Sequence, residues 1–270
     1  MLCQDGVEMI RALYTAASGM SAQQANLDTV ANNLANSATA GFRRRRLQFE
    51  DMIYQNMITP GSAQSQQTVS AGLQIGLGTR SAATEMIMTQ GDFNQTGNSL
   101  DIAIQGTGFF QVSKPDGTIA YTRAGSFHMN NQGTIVTAEG DTVLPAITIP
   151  SNATAITISQ YGVVSATIPG QTNAAQLGTI QLATFANPGG LNSVGGNLFE
   201  QTASSGNAIT DAPGGASGIG TLQQGYLENS NVDVVAEFVQ MILAQRAYES
   251  NSKVVHVADD MYSQINNMIR

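Results

Sequence analysis

Hydrophobic residues at helical spacing mark both ends of the chain. In the first stripe the four large apolar residues fall seven positions apart, at Leu13, Met20, Leu27 and Leu34. The second stripe has spacings of three and four throughout, at Val239, Leu243, Ala247, Asn251, Val254, Ala258, Met261, Ile265 and Met268. Both patterns predict long helices that pack against other helices as coiled coils. We therefore expect the chain to assemble through its two ends.

The middle of the chain has the pattern of short strands. From about residue 81 to 225, brief apolar alternations are separated by turn residues such as Pro115, Asp116 and Gly117. Residues 54–80 follow neither period and are rich in Gln, Ser, Thr and Gly, which predicts an extended connector. The expected fold class is therefore α+β in several parts: an assembly helix within 1–41, an extended connector over 42–80, an all-β domain over 81–225 and an assembly helix within 226–270.

The ends of the two helices can be placed from local signals. The first helix is expected to run from about Ile10 to Asn36, because Asn and Gly residues follow it. For the final helix, Ser230 and Asp233 have the spacing of a capping box. Met9 is a possible biological start, and residues 1–8 lack the basic and apolar regions of a cleaved secretory signal.

Composition favours a folded protein that associates with itself. Of 270 residues, 42% are hydrophobic and only 11% are charged, well below the roughly 25% usual in soluble domains, so copies of the chain repel one another weakly. The net charge of -8 argues against a nucleic-acid partner. The one dense cation cluster is Arg43 to Arg46, which we expect to meet acidic groups of a neighbouring subunit and the carbonyl end of the first helix.

The sequence offers little for catalysis or metal binding. It has one cysteine, Cys3, so no internal disulfide can form, and its two histidines, His128 and His256, stand apart from any metal-ligand pattern. No cofactor and no enzymatic activity are expected, and no apolar run is long enough to span a membrane. A different class of function is a glycan-binding β domain trimerised by the helices. Such a surface would need clustered aromatics, whereas the chain has 6% aromatics and no Trp.

The terminal stripes carry too few apolar residues to order the ends in isolation. Ordering about sixty residues costs more conformational entropy than one pair of such helices recovers by burial. We therefore predict that both ends are largely disordered in the monomer and helical in the assembly. Gln24 and Asn251 interrupt the stripes with amides, which either face a wet seam or fix the register between packed helices.

Two motifs at the ends of the chain carry a resemblance to a known family. The N-terminal motif consists of Ala31, Asn32, Asn33, Leu34, Ala35, Asn36, Thr39, Gly41 and Phe42. The C-terminal motif lies within residues 237–253 and contains Gln245, Arg246, Ala247, Tyr248, Glu249 and Asn251. Both resemble the signatures of the bacterial flagellar axial proteins, the rod, hook and hook-associated subunits. The resemblance implies terminal helices that pair in concentric tubes, with a β-rich domain displayed outside.

Within that family, the chain is similar to the distal rod members over nearly its whole length. The connector carries this similarity through Tyr54, Gln55, Pro60, Gly61, Gly72, Leu73, Gln74, Ile75 and Gly76. The resemblance implies a structural subunit that is exported by the flagellar type III apparatus and polymerises in the periplasm into the drive shaft that transmits torque to the hook. Implied partners are copies of itself, proximal rod and hook subunits, and the surrounding P-ring and L-ring proteins. Another rod or hook-type subunit is the alternative.

Overall fold

A computed structural model of the chain describes residues 2–58, 63–64, 67–68, 72–170, 173–215 and 218–268. One long helix lies at each end, α1 over Leu2–Ala35 and α2 over Val234–Met268, and strands fill the chain between them. The predicted helical ends and β-rich middle are confirmed. The helix α1 begins earlier than the expected Ile10, since no proline interrupts residues 2–9. Over the described residues, neither helix is apolar enough along its length to cross a membrane.

The start of α2 is capped by Asp233. Its Oδ1 accepts hydrogen bonds from the backbone N–H groups of Val235 at 2.9 Å and Ala236 at 3.2 Å. The expected capping box with Ser230 is wrong, because the Ser230 hydroxyl accepts from the N–H of Val232 before the helix begins. The side chain adjacent to the first helical turn holds the capping position.

The chain divides into two compact units. Unit 1 contains residues 1–34, 45–85 and 233–270, and unit 2 contains residues 35–44 and 86–232. The strands that follow α1 pair as β1 with β6, β2 with β5, and β3 with β4. Their bounds are β1 (Arg45–Asp51), β2 (Tyr54–Ile58), β3 (Ala63–Gln64), β4 (Gln67–Thr68), β5 (Leu73–Gly76) and β6 (Thr79–Met86).

Unit 2 holds the remaining strands. They are β7 (Phe93–Gln95), β8 (Ile102–Gln105), β9 (Phe109–Ser113), β10 (Ile119–Thr122), β11 (His128–Met129), β12 (Ile135–Val136), β13 (Thr142–Leu144), β14 (Ala155–Ile158), β15 (Val163–Thr167), β16 (Ala175–Thr179), β17 (Leu182–Thr184), β18 (Asn192–Gly195), β19 (Leu198–Glu200), β20 (Ile209–Asp211), β21 (Thr221–Gln224) and β22 (Tyr226–Glu228). Most belong to a nine-stranded sheet with the order β11-β12-β13-β9-β10-β19-β18, in which β17 pairs with β9 and β20. A sheet β14-β15-β16 and the pairs β21-β8 and β22-β7 complete the unit.

The core of unit 2 lies on both faces of β9. Adjacent residues of a strand point to opposite faces. Phe110 accordingly joins one apolar cluster, where its ring meets Phe127 edge-on with centroids 5.0 Å apart. Phe109 joins the other cluster and packs edge-on against Phe185 and Phe199. This unit therefore has a large aromatic and aliphatic core of its own.

The turn predicted at Pro115 to Gly117 is present between β9 and β10. Lys114 and Thr118 close it with a backbone hydrogen bond of 3.0 Å, and the Asp116 carboxylate accepts from the N–H and the hydroxyl of Thr118. Gly117 has a φ of +83°, a conformation that glycine adopts without strain. Local sequence signals thus determine this hairpin.

Candidate self-assembly surface

In its described part, unit 1 buries almost no large apolar side chain. Among its described residues, the fully buried apolar positions are Ala16, Ala22, Val30, Ala244 and Ala258, four of which are alanines. By contrast, nineteen of the twenty-four exposed large hydrophobic residues in the described part of the chain lie in this unit. Exposed apolar surface on this scale is a mark of an interaction site. Unit 1 therefore exposes apolar surface of the kind that a stable domain buries in its core.

The helix α2 has two faces of different character. The face that points into unit 1 carries Glu237, Ala244, Asn251 and Ala258 at seven-residue intervals, and these side chains are small or polar. The other face exposes Leu243 at 58% and Val235 at 73% of their surfaces. The rest of that outer face consists of Phe238, Val239, Ile242, Val254, Val257 and Met261. A helix that turns its large apolar residues outward is built to pack against something outside its own unit.

The predicted stripes lie at the edges of these faces. On α2, Val239, Leu243, Val254 and Met261 are exposed, Asn251 and Ala258 point inward, and Ala247 is half-buried. The side chain of Ile265 lies outside the described residues. On α1, the four members Leu13, Met20, Leu27 and Leu34 are all half-buried. Most of these side chains therefore still have apolar surface that a partner could cover.

The two helices touch where Gly19 faces Asn251. A Cβ placed on Gly19 would lie only 2.7 Å from Asn251 Nδ2 and 3.4 Å from its Cγ, so the amide packs directly on the glycine backbone. The neighbouring Ser18 hydroxyl accepts from the N–H of Thr79 at 3.3 Å, which joins α1 to the start of β6. The absent side chain at Gly19 is thus what allows the amide of α2 to approach α1.

Asn33 joins three elements of unit 1. Its Oδ1 accepts from the N–H of Arg45 at 2.9 Å, and its Nδ2 donates to the Arg45 carbonyl at 2.8 Å and to Glu237 Oε2 at 3.1 Å. Asn33 is 1% exposed and Glu237 is 4% exposed. An amide is required because the site needs a donor and an acceptor on one side chain. These bonds hold the end of α1, the start of β1 and the first turn of α2 together.

Three families of flagellar proteins match successive parts of the chain. The flagella basal body rod protein family matches residues 13–43, the flagellar hook protein FlgE/F/G D1 domain matches 103–166, and the flagellar basal body rod FlgEFG protein C-terminal family matches 223–268. Whole-length relatives are also found. The flagellar basal-body rod protein FlgG of Caulobacter vibrioides is 49% identical over 93% of this chain and 97% of its own length. The FlgG proteins of Borreliella burgdorferi and of Buchnera aphidicola from Acyrthosiphon pisum are 47% and 46% identical, over 97% and 96% of this chain and the whole of each relative.

The chain belongs to the FlgG family of flagellar basal-body rod proteins. The prediction of a distal rod subunit with a structural and not an enzymatic role is thereby confirmed. The FlgG family also places the chain in the flagellar basal body. The geometry of unit 1 can therefore be interpreted as that of a rod subunit outside its polymer.

Three residues of the N-terminal motif have identifiable contacts. Gly41 donates its N–H to the Glu228 carbonyl at 2.8 Å, and a Cβ there would lie 2.6 Å from Ala124 N, so no larger residue fits. Phe42 accepts from the N–H of Asn231 through its carbonyl. Asn36 accepts from Thr39 through both its carbonyl and its side chain. These three residues shape the passage from α1 into unit 2.

The C-terminal motif is mostly solvent-facing in the single chain. Gln245 and Arg246 both donate to Glu249, at 3.4 and 2.9 Å, and Tyr248 is 39% exposed. Asn32 of the N-terminal motif is exposed as well. These four motif residues therefore lie on the surface of the single subunit.

The connector folds into strand pairs. Tyr54 lies opposite Gly76 and Gln55 opposite Ile75 in the antiparallel pair β2-β5. Its side chains, including Tyr54, Gln74 and Leu73, are largely exposed. Gln55 accepts a 3.1 Å hydrogen bond from Arg11 of α1, Gly72 is half-buried just before β5, and Pro60 and Gly61 lie outside the described residues.

The expectation for the arginine run is wrong for two of its members. Arg43 is 3% exposed and donates to Glu228 of its own chain at 2.7 Å, while Arg46 donates to Glu85 at 2.7 Å. The roles of Glu228 and Glu237 as partners of Arg43 and Asn33 were not predicted. Nothing local in the sequence marks them, since their partners are 185 and 204 residues away.

Proposed function

We propose that the chain polymerises helically into the distal rod, with its terminal helices forming the inner tube and its β-rich domain lying outside. The observation that carries this proposal is the outer face of α2, where large apolar residues point away from the subunit. Membership of a family of rod proteins supports copies of the same chain as the partner that covers this face. In the tube, helices of neighbouring subunits would cover this face as coiled coils.

Assembly and folding of the ends are coupled in this proposal. Among the residues of unit 1 that the structure describes, the buried apolar ones are four alanines and a valine, so this unit gains little from folding alone. Burial of the outer face in the polymer supplies the missing stabilisation. The terminal helices are therefore disordered for much of the time in the monomer and become fully ordered on incorporation.

The connector stiffens the polymer. A two-stranded hairpin such as β2-β5 is marginally stable by itself in water. Its exposed Tyr54, Met57, Ile58 and Leu73 side chains give a neighbouring subunit an apolar surface to cover. Contacts of this kind between subunits resist sliding, so torque passes along the rod with little bending.

The proposal also includes export of the subunit and contacts with other flagellar proteins. The subunit would leave the cytoplasm through the flagellar type III apparatus and polymerise in the periplasm. It would contact proximal rod subunits at one end, hook subunits at the other, and the P-ring and L-ring proteins around it. The resemblance of the motifs and the FlgG relatives support these partners.

The substitution Leu27→Asp tests the inner-tube role. Leu27 is half-buried on the apolar edge of α1, and a carboxylate there would be desolvated in the tube. We expect the variant to remain unpolymerised in pelleting assays while its β-rich domain keeps its thermal unfolding transition. Ser21→Asp, which adds the same charge on the exposed side of α1, is the matched control. Filaments formed by Leu27→Asp at the parental critical concentration would contradict the proposal.

A further inference from the structure

Three segments of unit 2 meet at the places where the chain passes to and from unit 1. The chain crosses between the units after residues 34, 44, 85 and 232. Backbone hydrogen bonds join the segments 40–44, 87–92 and 228–231 beside these crossings. They run from Gly41 N–H to Glu228 O at 2.8 Å, from Ile87 N–H to Arg44 O at 2.9 Å and from Asn229 N–H to Asp92 O at 2.8 Å. We call these three segments together the neck.

Asn231 adds side-chain bonds within the neck. Its Oδ1 accepts from the N–H of Arg44 at 2.7 Å, and its Nδ2 donates to the carbonyls of Ile87 and Thr89 at 2.9 Å each. The side chain of Asn231, which lies on segment 228–231, thus bonds to both of the other neck segments. The crossings after residues 44, 85 and 232 lie within a few residues of this network.

A buried charge cluster lies at the centre of the neck. Glu228 is 1% exposed, and its two oxygens accept from Arg43 Nη2 and Arg123 Nε, at 2.7 Å each. Glu228 Oε1 also accepts from the N–H of Gly91 at 3.0 Å. Arg123 continues into the β core by donating to the carbonyls of Gly108 at 2.6 Å, Ile104 at 3.1 Å and Gly106. The cluster therefore ties all three neck segments to the core.

The charge balance and hydrogen bonding of the cluster are unfavourable for the stability of the fold. It buries two guanidinium groups against one carboxylate, and Arg43 Nη1 has no acceptor among the residues that the structure describes. Burial lowers the pKa of the Arg123 guanidinium, a shift that the Glu228 carboxylate opposes and the Arg43 charge reinforces. Buried ion pairs are often no more stabilising than apolar residues of similar volume. Without Arg43, the remaining Arg123–Glu228 pair would have no net charge. A role in positioning segment 40–44 therefore explains Arg43 better than a contribution to the stability of the fold does.

We propose that Arg43, Glu228 and Arg123 form a clamp that fixes the three neck segments against the β core and so stiffens the polymer. Arg43 is its adjustable member, a positioning residue that holds segment 40–44 in place. This mechanical consequence rests on the proposed function in the rod. The clamp itself is a property of the single chain and can be tested without any polymer.

Native-state amide hydrogen exchange of the monomer tests the clamp. In Arg43→Met, exchange at the amides of Gly41, Arg44, Gly91 and Asn231 should rise by roughly tenfold or more, while amides of the β core and its thermal midpoint stay unchanged. Arg43→Lys keeps the charge but not the planar fork, so its exchange rates should fall between parent and Arg43→Met. Arg46→Met is the matched control, because Arg46 is 61% exposed, and it should leave these amides protected. Unchanged protection in Arg43→Met would overturn the clamp, as would a loss of protection spread equally over the core.

The bending stiffness of the polymer is the second quantity to measure. Rods of Arg43→Met should form at the parental critical concentration but show a persistence length reduced by roughly half or more in electron micrographs. Parental stiffness despite loosened neck amides would overturn the mechanical part of the proposal. If the parental chain itself forms no rods, the proposed function fails while the exchange experiment still decides the clamp.

Discussion

Truncating one side chain on the outer face of α2 gives a quantitative test of assembly. Leu243 is 58% exposed in the single chain. Full burial of a leucine contributes about 1.5–3 kcal/mol, so covering the exposed part in the polymer is worth roughly 1–2 kcal/mol per subunit. Leu243→Ala forfeits most of that. The critical concentration for polymerisation should therefore rise by about 5- to 30-fold, since 1.4 kcal/mol corresponds to a factor of ten.

The assay is sedimentation of polymer from a concentration series, with thermal unfolding of the β-rich domain measured alongside. Ile209→Ala is the matched control, because Ile209 is 53% exposed but lies in unit 2. We expect that control to change the critical concentration by no more than about twofold, as surface substitutions usually do. A critical concentration for Leu243→Ala equal to that of the parent would refute the assignment of the outer face to the polymer interface.

Three further predictions address the helices and the connector. Gly19→Val should raise the critical concentration by roughly tenfold or more in the same pelleting assay, because its side chain displaces Asn251, whereas Ser21→Val on the exposed side of α1 should not. Deleting the hairpin β2-β5 should leave filaments able to form but make them bend more in electron micrographs, and unchanged stiffness would remove the role given to the connector. Far-UV circular dichroism of a dilute monomer should show much less helix than the 34 and 35 residues of α1 and α2, and more on polymerisation. Complete helices in the monomer would disprove coupled folding.

The parts of the fold that depend on local sequence pattern were predictable from the sequence. Helical spacing located both terminal helices, and the turn at Pro115 to Gly117 follows from the preferences of its own residues. It did not predict which face of α2 the subunit covers. The chosen stripe includes Leu243, which points outward, and Asn251, which points inward. Periodicity finds an apolar edge, but the contact surface was decided by the close approach that Gly19 permits.

Polar pairs between residues that are far apart in the chain were not predicted either. Arg43 was assigned to a neighbouring subunit because the sequence around it shows only a run of four arginines. Its partner Glu228 lies 185 residues away, and no spacing rule connects the two. The same holds for Asn33 and Glu237, whose bond depends on how the start of α2 meets the end of α1. Such pairs are specified by the tertiary fold, so the sequence reveals them only after the fold is known.

In the proposed rod the terminal helices, and not the β-rich domain, build the polymer. Electron cryomicroscopy of the purified chain, concentrated until it polymerises, would show which part of the subunit forms the contacts. We expect a straight tube whose inner wall consists of α1 and α2, with Val239, Leu243 and Val254 buried between subunits and the β-rich domain outside. A polymer held together by the β-rich domain, with the outer face of α2 still in solvent, would contradict it.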